Sequence, residues 1–240
     1  MRTLALILVI AALAACSSEP PPVAVAVPPT GAAHGVDMAI DSRDVSSELR
    51  SNKLDFVARY YRDPASRWPP LSAAEAAMLS SAGLNIVAVW EYRSHRADYF
   101  SYASGYADAL GAYRQAKAIG QPAGSAIYFA VDFNAQEPDI RGPVDQYFRG
   151  IAAGFAAAAP TPEYRVGVYG SGAVCAYLKR ARLAQYAWLS NSNAWSGYDS
   201  FTDWNIKQST ASEALTFSHD WNEAWGDYGG FRVKNQYSSL

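Results

Sequence analysis

The sequence of 240 residues lacks the signatures of nucleotide, metal and nucleic-acid binding. Its three histidines, His34, His95 and His219, are scattered and do not have the spacing of metal ligands. No phosphate-binding loop, dinucleotide fingerprint or Gly-x-Ser-x-Gly nucleophile elbow occurs. With 20 basic and 22 acidic residues, the chain has no positive excess, which argues against nucleic acid as a partner. We therefore expect no metal and no other cofactor.

Cysteine is scarce, and long apolar runs are absent. Cys16 and Cys175 are the only cysteines. No apolar run reaches the roughly 18–20 residues that a membrane-spanning helix needs. Cys175 lies in an apolar, helix-like stretch with no histidine nearby, which predicts a buried, inert thiol rather than a nucleophile.

The N-terminus has the pattern of a lipoprotein signal peptide. Arg2 is followed by an uncharged apolar segment, residues 4–15, that ends in small residues before Cys16. Residues 1–16 are therefore predicted to be a signal peptide with Cys16 as the lipidated residue; the alternative is a plain signal peptide cut at the same place. We expect an exported, membrane-anchored lipoprotein, in the periplasm or, because Ser17 follows the cysteine, at the outer membrane of a diderm host.

The mature chain divides into a short tether and one domain. Residues 17–33 are mostly Ser, Pro, Ala and Val, a composition that predicts an extended tether. The domain is assigned to residues 34–240, with its compact part ending near residue 225, and a monomer is expected.

Strand and helix patterns alternate through this domain. Apolar runs predict strands at residues 35–40, 55–61, 84–91, 126–132, 164–169 and 186–190. Helices are predicted from a Ser72–Glu75 capping box to Gly83, from about 106 to a stop at Gly120, from Pro143 onward, and over 172–182. Such alternation is typical of a mostly parallel sheet with helical crossovers.

The last two predicted strands, residues 201–208 and 215–221, are too close in sequence for a parallel crossover, so they should be antiparallel. Eight strands in this length predict an α/β fold, an irregular TIM-like (β/α) barrel with the last helices missing. A flavodoxin-like open sheet is the alternative.

Acidic residues occur at the predicted strand ends. Asp37 lies in the first strand, Glu91 and Asp132 end apolar runs, and Asp220 falls in the last strand. Barrel active sites are built at the carboxyl ends of the strands, and glycoside hydrolysis needs converging carboxylates. Each acid could equally cap a loop or pair with an arginine.

The order and spacing of these segments resemble a known family. They resemble the exported bacterial glycoside-hydrolase-like barrels, a family described as a domain of unknown function and related in fold to family 25 lysozymes. The segments that carry the resemblance contain Asp37, residues 56–61, 83–91 and 127–133, residues 164–171, Trp188 and Gln208.

The resemblance implies roles for individual residues. Asp37 matches the first-strand aspartate of the lysozymes, Asp132 the first acid of their Asp-x-Glu pair, and Asp220 with Asn222 their late Asp-x-Asn. The chain departs at Asn134, where the lysozymes have the catalytic glutamate, and an amide cannot donate a proton in its place. Glu91, beside Trp90, is the substitute acid, because an apolar neighbour should raise the pKa of its carboxyl group.

We therefore expect a lipid-anchored envelope protein acting on peptidoglycan or another cell-wall glycan, a possible O-glycosyl hydrolase. Glu91 would be the acid, Asp132 the base or nucleophile, and Asp37 would orient the sugar or tune the pair. The expected substrate-binding residues are Asn134 and Gln208 as hydrogen-bonding groups, Tyr169, Trp188 and Trp90 as stacking faces, and Asp220 and Asn222. The alternatives are a catalytically inactive glycan-binding module and a structural envelope factor.

Overall fold

Eight strands close into a single barrel in chain order. The computed structural model describes residues 31–161, 163–210 and 215–234, so the predicted signal peptide with Cys16, and residues 17–30 of the predicted tether, lie outside the described residues. The strands are β1 (Ala32–Asp37), β2 (Phe56–Tyr61), β3 (Asn85–Trp90), β4 (Ala126–Ala130), β5 (Arg165–Gly170), β6 (Tyr186–Leu189), β7 (Ile206–Ser209) and β8 (Asp220–Trp225). The barrel prediction is confirmed, and the open flavodoxin-like sheet is excluded because β8 pairs with β1.

The strands β1 to β7 are parallel, and β8 runs against both of its neighbours. The expected antiparallel last pair is confirmed, but its bounds are wrong, since β8 begins at Asp220 rather than at 215. Leu215 and Phe217 instead lie outside the sheet, half-buried against the outer core. Because β8 is reversed, its first residues lie at the barrel end where the other strands finish.

Six α-helices lie in the described part of the chain. They are α1 (Ser46–Ser51), α2 (Ala73–Ser81), α3 (Tyr102–Ile119), α4 (Glu137–Asp139), α5 (Asp145–Ala158) and α6 (Gly172–Arg180). The connection from β6 to β7 has no helix, and no helix follows α6 among the described residues, so the prediction that the last helices are missing is confirmed. Gly120, with φ of 78°, ends α3 as predicted.

Two predicted helix starts differ from the structure. A capping box of Ser101 and Ser104 opens α3 at Tyr102, four residues earlier than expected. Pro143 does not begin its helix but lies inside a π-turn, Ile140–Val144, that joins α4 to α5. The wider turn accommodates a residue without a backbone N–H group, so the helical segment continues through the proline.

Side chains of the strands alternate between two cores. The interior side chains are aliphatic or aromatic: Ala33, Phe56, Ala58, Val87, Val89, Ala126, Tyr128, Ala130, Tyr186, Trp188, Ile206 and Ala224. The residues between them face outward and pack under the helices, as Trp90 does against Gly111 of α3. This two-residue period determines which strand residues reach the barrel mouth.

A buried ion pair fixes α2 to the end of β1. The Arg59 Nε atom lies 2.5 Å from Oε1 of Glu75, and both side chains are fully buried. Arg59 also donates to the carbonyl of Met38, and Glu75 accepts from the backbone N–H and the hydroxyl of Ser42. Ser72 caps α2 as predicted, accepting from the Glu75 N–H, but the glutamate side chain turns to Arg59 instead of completing a capping box.

The segment after β8 closes the opposite end of the barrel. Tyr228 is fully buried among interior residues, its carbonyl accepts from the Tyr128 hydroxyl, and Phe231 forms an antiparallel bridge with Ile86. The compact domain therefore continues past residue 225, where the sequence predicted its end. At its start, β1 includes Ala32 and Ala33, which were assigned to the tether.

No helix among residues 31–161, 163–210 and 215–234 combines the length and apolarity needed to cross a membrane.

Candidate active site

A pocket of about 180 Å³ opens at the barrel end where β1 to β7 finish. It is lined by Asp37, Tyr60, Val89, Glu91, Ala130, Asp132, Tyr169, Trp188, Gln208 and Asp220. Seven of these were proposed from the sequence, and the lining includes four carboxylic acids from four different strands or strand ends. The volume is smaller than that of typical ligand pockets, about 300–1,000 Å³, so it suits part of a ligand rather than a whole oligomer.

The lining residues follow from strand alternation. Glu91 comes two residues after the interior Val89, and Asp132 two after the interior Ala130. On the reversed strand, Asp220 is the register partner of Asp37. The four acids therefore converge because they share the inward side of the sheet at one end of the barrel.

Asp37 is the centre of a hydrogen-bond network. Its Oδ1 accepts from the Tyr60 hydroxyl at 2.9 Å, and its Oδ2 accepts from Gln208 Nε2 at 3.0 Å and Asn222 Nδ2 at 2.9 Å. Burial raises the pKa of Asp37 to about 6, although the three donors oppose that rise. The carboxyl group is thus held in one orientation beneath the pocket.

Amide groups extend this network across the floor. Gln208 Oε1 accepts from the Tyr169 hydroxyl at 3.0 Å, and Asn222 Oδ1 accepts from Trp188 Nε1 at 2.8 Å. Trp188 packs edge-on against Tyr169 and is 1% exposed. The Trp188 indole therefore lies buried beneath the pocket, whereas the Tyr169 ring is only partly buried and has more accessible surface.

Asp132 and Glu91 differ in their partners. Burial, with the negative charges of Asp37 and Asp220, raises the pKa of Asp132 to about 6. Its carboxyl group has no hydrogen bond or cation partner within the described chain. The pKa of Glu91 is also raised by burial, but Arg62, whose Nη1 lies 3.7 Å from Oε2 of Glu91, opposes the shift. Asp132 is therefore the acid better suited to hold a proton, and Glu91 the one better suited to stay ionised.

Three of the proposed site residues do not line the pocket. Trp90 is 2% exposed on the outward face of β3, so it cannot offer a stacking face to a ligand there, and burial rather than its indole raises the pKa of Glu91. Asn222 is buried behind Asp37. Asn134 is exposed, and its Oδ1 accepts from the backbone N–H of Ser196 at 2.9 Å, which joins two loops.

Sequence reasoning missed Tyr60 and Arg62. Tyr60 lines the pocket and holds Asp37, while the Arg62 guanidinium lies 4.0 Å from the Tyr60 ring centroid and donates to the Glu91 carbonyl at 3.2 Å. The two-residue period of β2 could have placed Tyr60 in the pocket, because Tyr60 comes two residues after the interior Ala58.

Within the described residues, no group of histidine, cysteine, aspartate and glutamate side chains has an arrangement that could hold a metal ion.

A closed eight-stranded barrel with helical crossovers and a carboxylate-lined mouth defines the class of glycoside-hydrolase-like barrels. The chain belongs to the Rv2525c-like, glycoside hydrolase-like domain family, whose family model matches residues 47–239. The resemblance seen in the sequence is thereby confirmed.

Solved and curated relatives agree with this assignment. The Tat-secreted protein Rv2525c of Mycobacterium tuberculosis has a TM-score of 0.66 at 21% identity, covering 83% of this chain and 100% of that chain. The modular autolysin LytC of Streptococcus pneumoniae, solved with a synthetic peptidoglycan ligand, has a TM-score of 0.52 at 16% identity, covering 81% of this chain and 47% of that chain. At these identities the likeness establishes the fold.

A curated relative is the uncharacterized protein YbfG of Bacillus subtilis (strain 168), 29% identical over 167 residues. That match covers 66% of this chain and 23% of YbfG, so the chain spans about a quarter of the relative's length.

Proposed function

We propose that this protein is an envelope glycosidase that acts on peptidoglycan or a related wall glycan, with slow turnover. The observation that carries the proposal is the convergence of Asp37, Glu91, Asp132 and Asp220 on one pocket. Glycoside hydrolysis requires one carboxylic acid that holds a proton and a second that is ionised, and Asp132 and Glu91 have environments that separate them in this way. The fold it shares with LytC, which has been solved with a peptidoglycan ligand, supports the choice of glycan.

The proposed roles of Glu91 and Asp132 are the reverse of those that the sequence suggested. Asp132 protonates the departing glycosidic oxygen, because it has no cation partner among the described residues and faces other negative charges. Glu91, paired with Arg62, is the ionised base or nucleophile. Asp37 is a positioning residue that holds Tyr60, Gln208 and Asn222 and whose charge favours a protonated Asp132.

A glycan-binding module without turnover is the second candidate. It is favoured by Asn134, which occupies the position of the lysozyme glutamate and uses its side-chain oxygen to join two loops. A structural envelope factor would neither bind nor cleave glycan.

Export and anchoring are part of the proposal. The signal-peptide pattern, Cys16 and the Tat-secreted relative Rv2525c support an exported protein held to a membrane by a lipid on Cys16. The proposed partner is therefore a wall polymer within reach of that membrane.

The test is digestion of purified peptidoglycan, measured as released reducing ends and muropeptides. We expect slow release by the wild type, and a loss of about 10²- to 10⁴-fold in the Asp132→Asn variant, the usual effect of removing a general acid. Since the acid must be protonated, activity should fall as the pH rises through the Asp132 pKa of about 6. The Asp199→Asn variant, changed on an exposed loop, is the matched control and should retain wild-type rates.

The outcomes separate the candidates. Retention of peptidoglycan binding with no products in any variant would favour the binding module, and absence of both would favour the structural role. Full activity in Asp132→Asn would contradict the proposed acid.

A further inference from the structure

We propose that Arg93, His95 and Arg96 form a subsite beside the pocket for an anionic group, a carboxylate or a phosphate, carried by the glycan. This inference rests on the proposed function and specifies the class of substrate: an anionic rather than a neutral wall polymer. The subsite is a second cavity of about 480 Å³ in the connection from β3 to α3. Its lining is Arg93, His95, Arg96, Asp98, Tyr99 and Ser104.

The cavity adjoins the catalytic pocket. Glu91, which lines the pocket, precedes Arg93 by two residues, and the charge of His95 acts on the Glu91 carboxyl group and opposes the rise in its pKa. The loop is also fixed to Asp132, whose backbone N–H donates to the Ser94 carbonyl at 2.9 Å. A polymer bound at the pocket can therefore place a substituent in the second cavity.

Positive charge in this cavity is not balanced by the protein. Asp98 is engaged by Arg96 at 2.6 Å, whereas Arg93 and His95 have no hydrogen-bonding or ion-pair partner within the part of the chain that the structure describes. The other polar groups of the lining are occupied, because the Tyr99 hydroxyl donates to Asp108 and the Ser104 hydroxyl to the Tyr99 carbonyl. An entering ligand thus meets the unpaired guanidinium of Arg93 and the imidazole of His95, and a guanidinium favours an oxyanion.

The backbone conformation of Arg93 also supports a ligand-binding role for this loop. Its φ of 52° lies in the left-handed region, which residues with a side chain adopt at a cost. The next residue, Ser94, is buried and holds the strand end of Asp132, so the loop keeps Arg93 in that conformation. Strained non-glycine residues cluster at ligand-binding sites, where the surrounding structure maintains them.

The experiment compares three probes on the full-length protein by calorimetry. They are neutral N-acetylchitotetraose, a disaccharide-tetrapeptide fragment with free carboxylates, and an oligomer of glycerol phosphate. The wild type should bind one anionic probe more tightly than the neutral probe. The Arg93→Gln/Arg96→Gln variant should bind that anionic probe about 2- to 20-fold more weakly, the range expected for two exposed charge contacts. Binding of the neutral probe should not change, and 1 M salt should remove the difference.

The control is the double variant Arg50→Gln/Arg114→Gln, an equal loss of two positive charges at exposed positions on α1 and α3, with Arg114 about 18 Å along α3 from its first residue. It should bind all three probes as the wild type does. Preference for the fragment or for the phosphate oligomer identifies the source of the anion. Equal binding of neutral and anionic probes by wild type and double variant would overturn the subsite and leave the proposed function intact. Failure of all three probes to bind would overturn both.

Discussion

Asp132 occupies a position in the pocket that is unfavourable for an ionised carboxylate and therefore lowers the stability of the fold. Its carboxyl group is half-buried, faces the negative charges of Asp37 and Asp220, and has no compensating partner within the described chain. A protein selected for stability alone would pair or replace such a group. The unfavourable ionisation that raises its pKa is also what lets it carry a proton near neutral pH.

This placement predicts a gain in stability on substitution. The folded-state pKa of about 6 lies above the ordinary value of 3.8, so the native state loses stability as the pH rises from about 4 through 6. Asp132→Asn should therefore stabilise the fold at pH 7.5. We expect the free energy of unfolding to increase by about 1–2 kcal/mol, which allows for the partial exposure of the Asp132 side chain. This increase corresponds to a melting temperature raised by roughly 3–6 °C.

The gain should disappear near pH 4, where the folded wild type is already protonated. Thermal melts at pH 4 and pH 7.5 measure this gain in stability. They compare the wild type, Asp132→Asn and the exposed control Asp199→Asn. Equal gains at both pH values would show that lost charge is not the cause.

At the scale of elements, the contact between α3 and α5 depends on glycine. A Cβ atom added to Gly150 would lie 2.1 Å from the backbone oxygen of Tyr102, and one added to Gly105 would lie 2.0 Å from the oxygen of Tyr147. Both neighbours are backbone atoms, so a side chain could fit only if the helices moved apart. α5 covers β4, the strand that leads to Asp132, and α3 packs against Trp90 of β3.

Gly150→Ala should therefore destabilise the domain by about 1–3 kcal/mol, the usual cost of overpacking. Gly142→Ala is the matched control, because a Cβ atom there meets nothing within 4 Å and its φ is not positive. It should be neutral or slightly stabilising. Chemical denaturation measures both free energies of unfolding. Equal effects would mean that α3 and α5 adjust freely to the added methyl group.

The reversal of β8 brings Asp220 and Asn222 to the pocket end of the barrel. If β8 were parallel, Asp220 and Asn222 would begin it at the far end of the barrel. As an antiparallel strand it pairs Asn222 with Gln208 and Asp220 with Asp37. The polar floor of the pocket is thus built across β7, β8 and β1.

At the scale of the whole molecule, the chain enters the barrel at the end opposite to the pocket. β1 begins at Ala32, which pairs with Trp225, and ends at Asp37 in the pocket. Residues 17–31 could span at most roughly 50 Å if fully extended. The proposed lipid on Cys16 would therefore join the domain at the end opposite to the pocket.

This arrangement requires Cys16 to be the anchor. In detergent phase partition of cell extracts, the wild type should enter the detergent phase and Cys16→Ser the aqueous phase, because loss of the lipid removes the membrane affinity. Cys175→Ala is the control, since that thiol is fully buried, and it should partition as the wild type does. A Cys16→Ser protein that stays in the detergent phase would show that another segment anchors it.

The sequence by itself determined the order of the elements, the barrel class and most of the pocket. Buried parallel strands appear as continuous apolar runs, and the acids at their ends share one face of the barrel, so Asp37, Glu91 and Asp132 could be placed together from local pattern alone. In these apolar runs the sequence does not show which side chains point into the barrel and which point outward, because residues of both faces are apolar. Trp90 was therefore assigned to the wrong side of β3.

Tertiary structure decided what depends on partners distant in sequence. The Glu75 side chain pairs with Arg59 instead of completing a capping box, and Asn134 accepts from the Ser196 N–H. Arg62 lies beside Glu91, whereas Asp132 has no such partner in the described part of the chain. The proposed exchange of roles between Glu91 and Asp132 rests on these contacts, since a pKa reflects burial and charge in three dimensions. Local pattern specifies which residues reach the pocket; only the folded barrel specifies which of them meets a compensating charge.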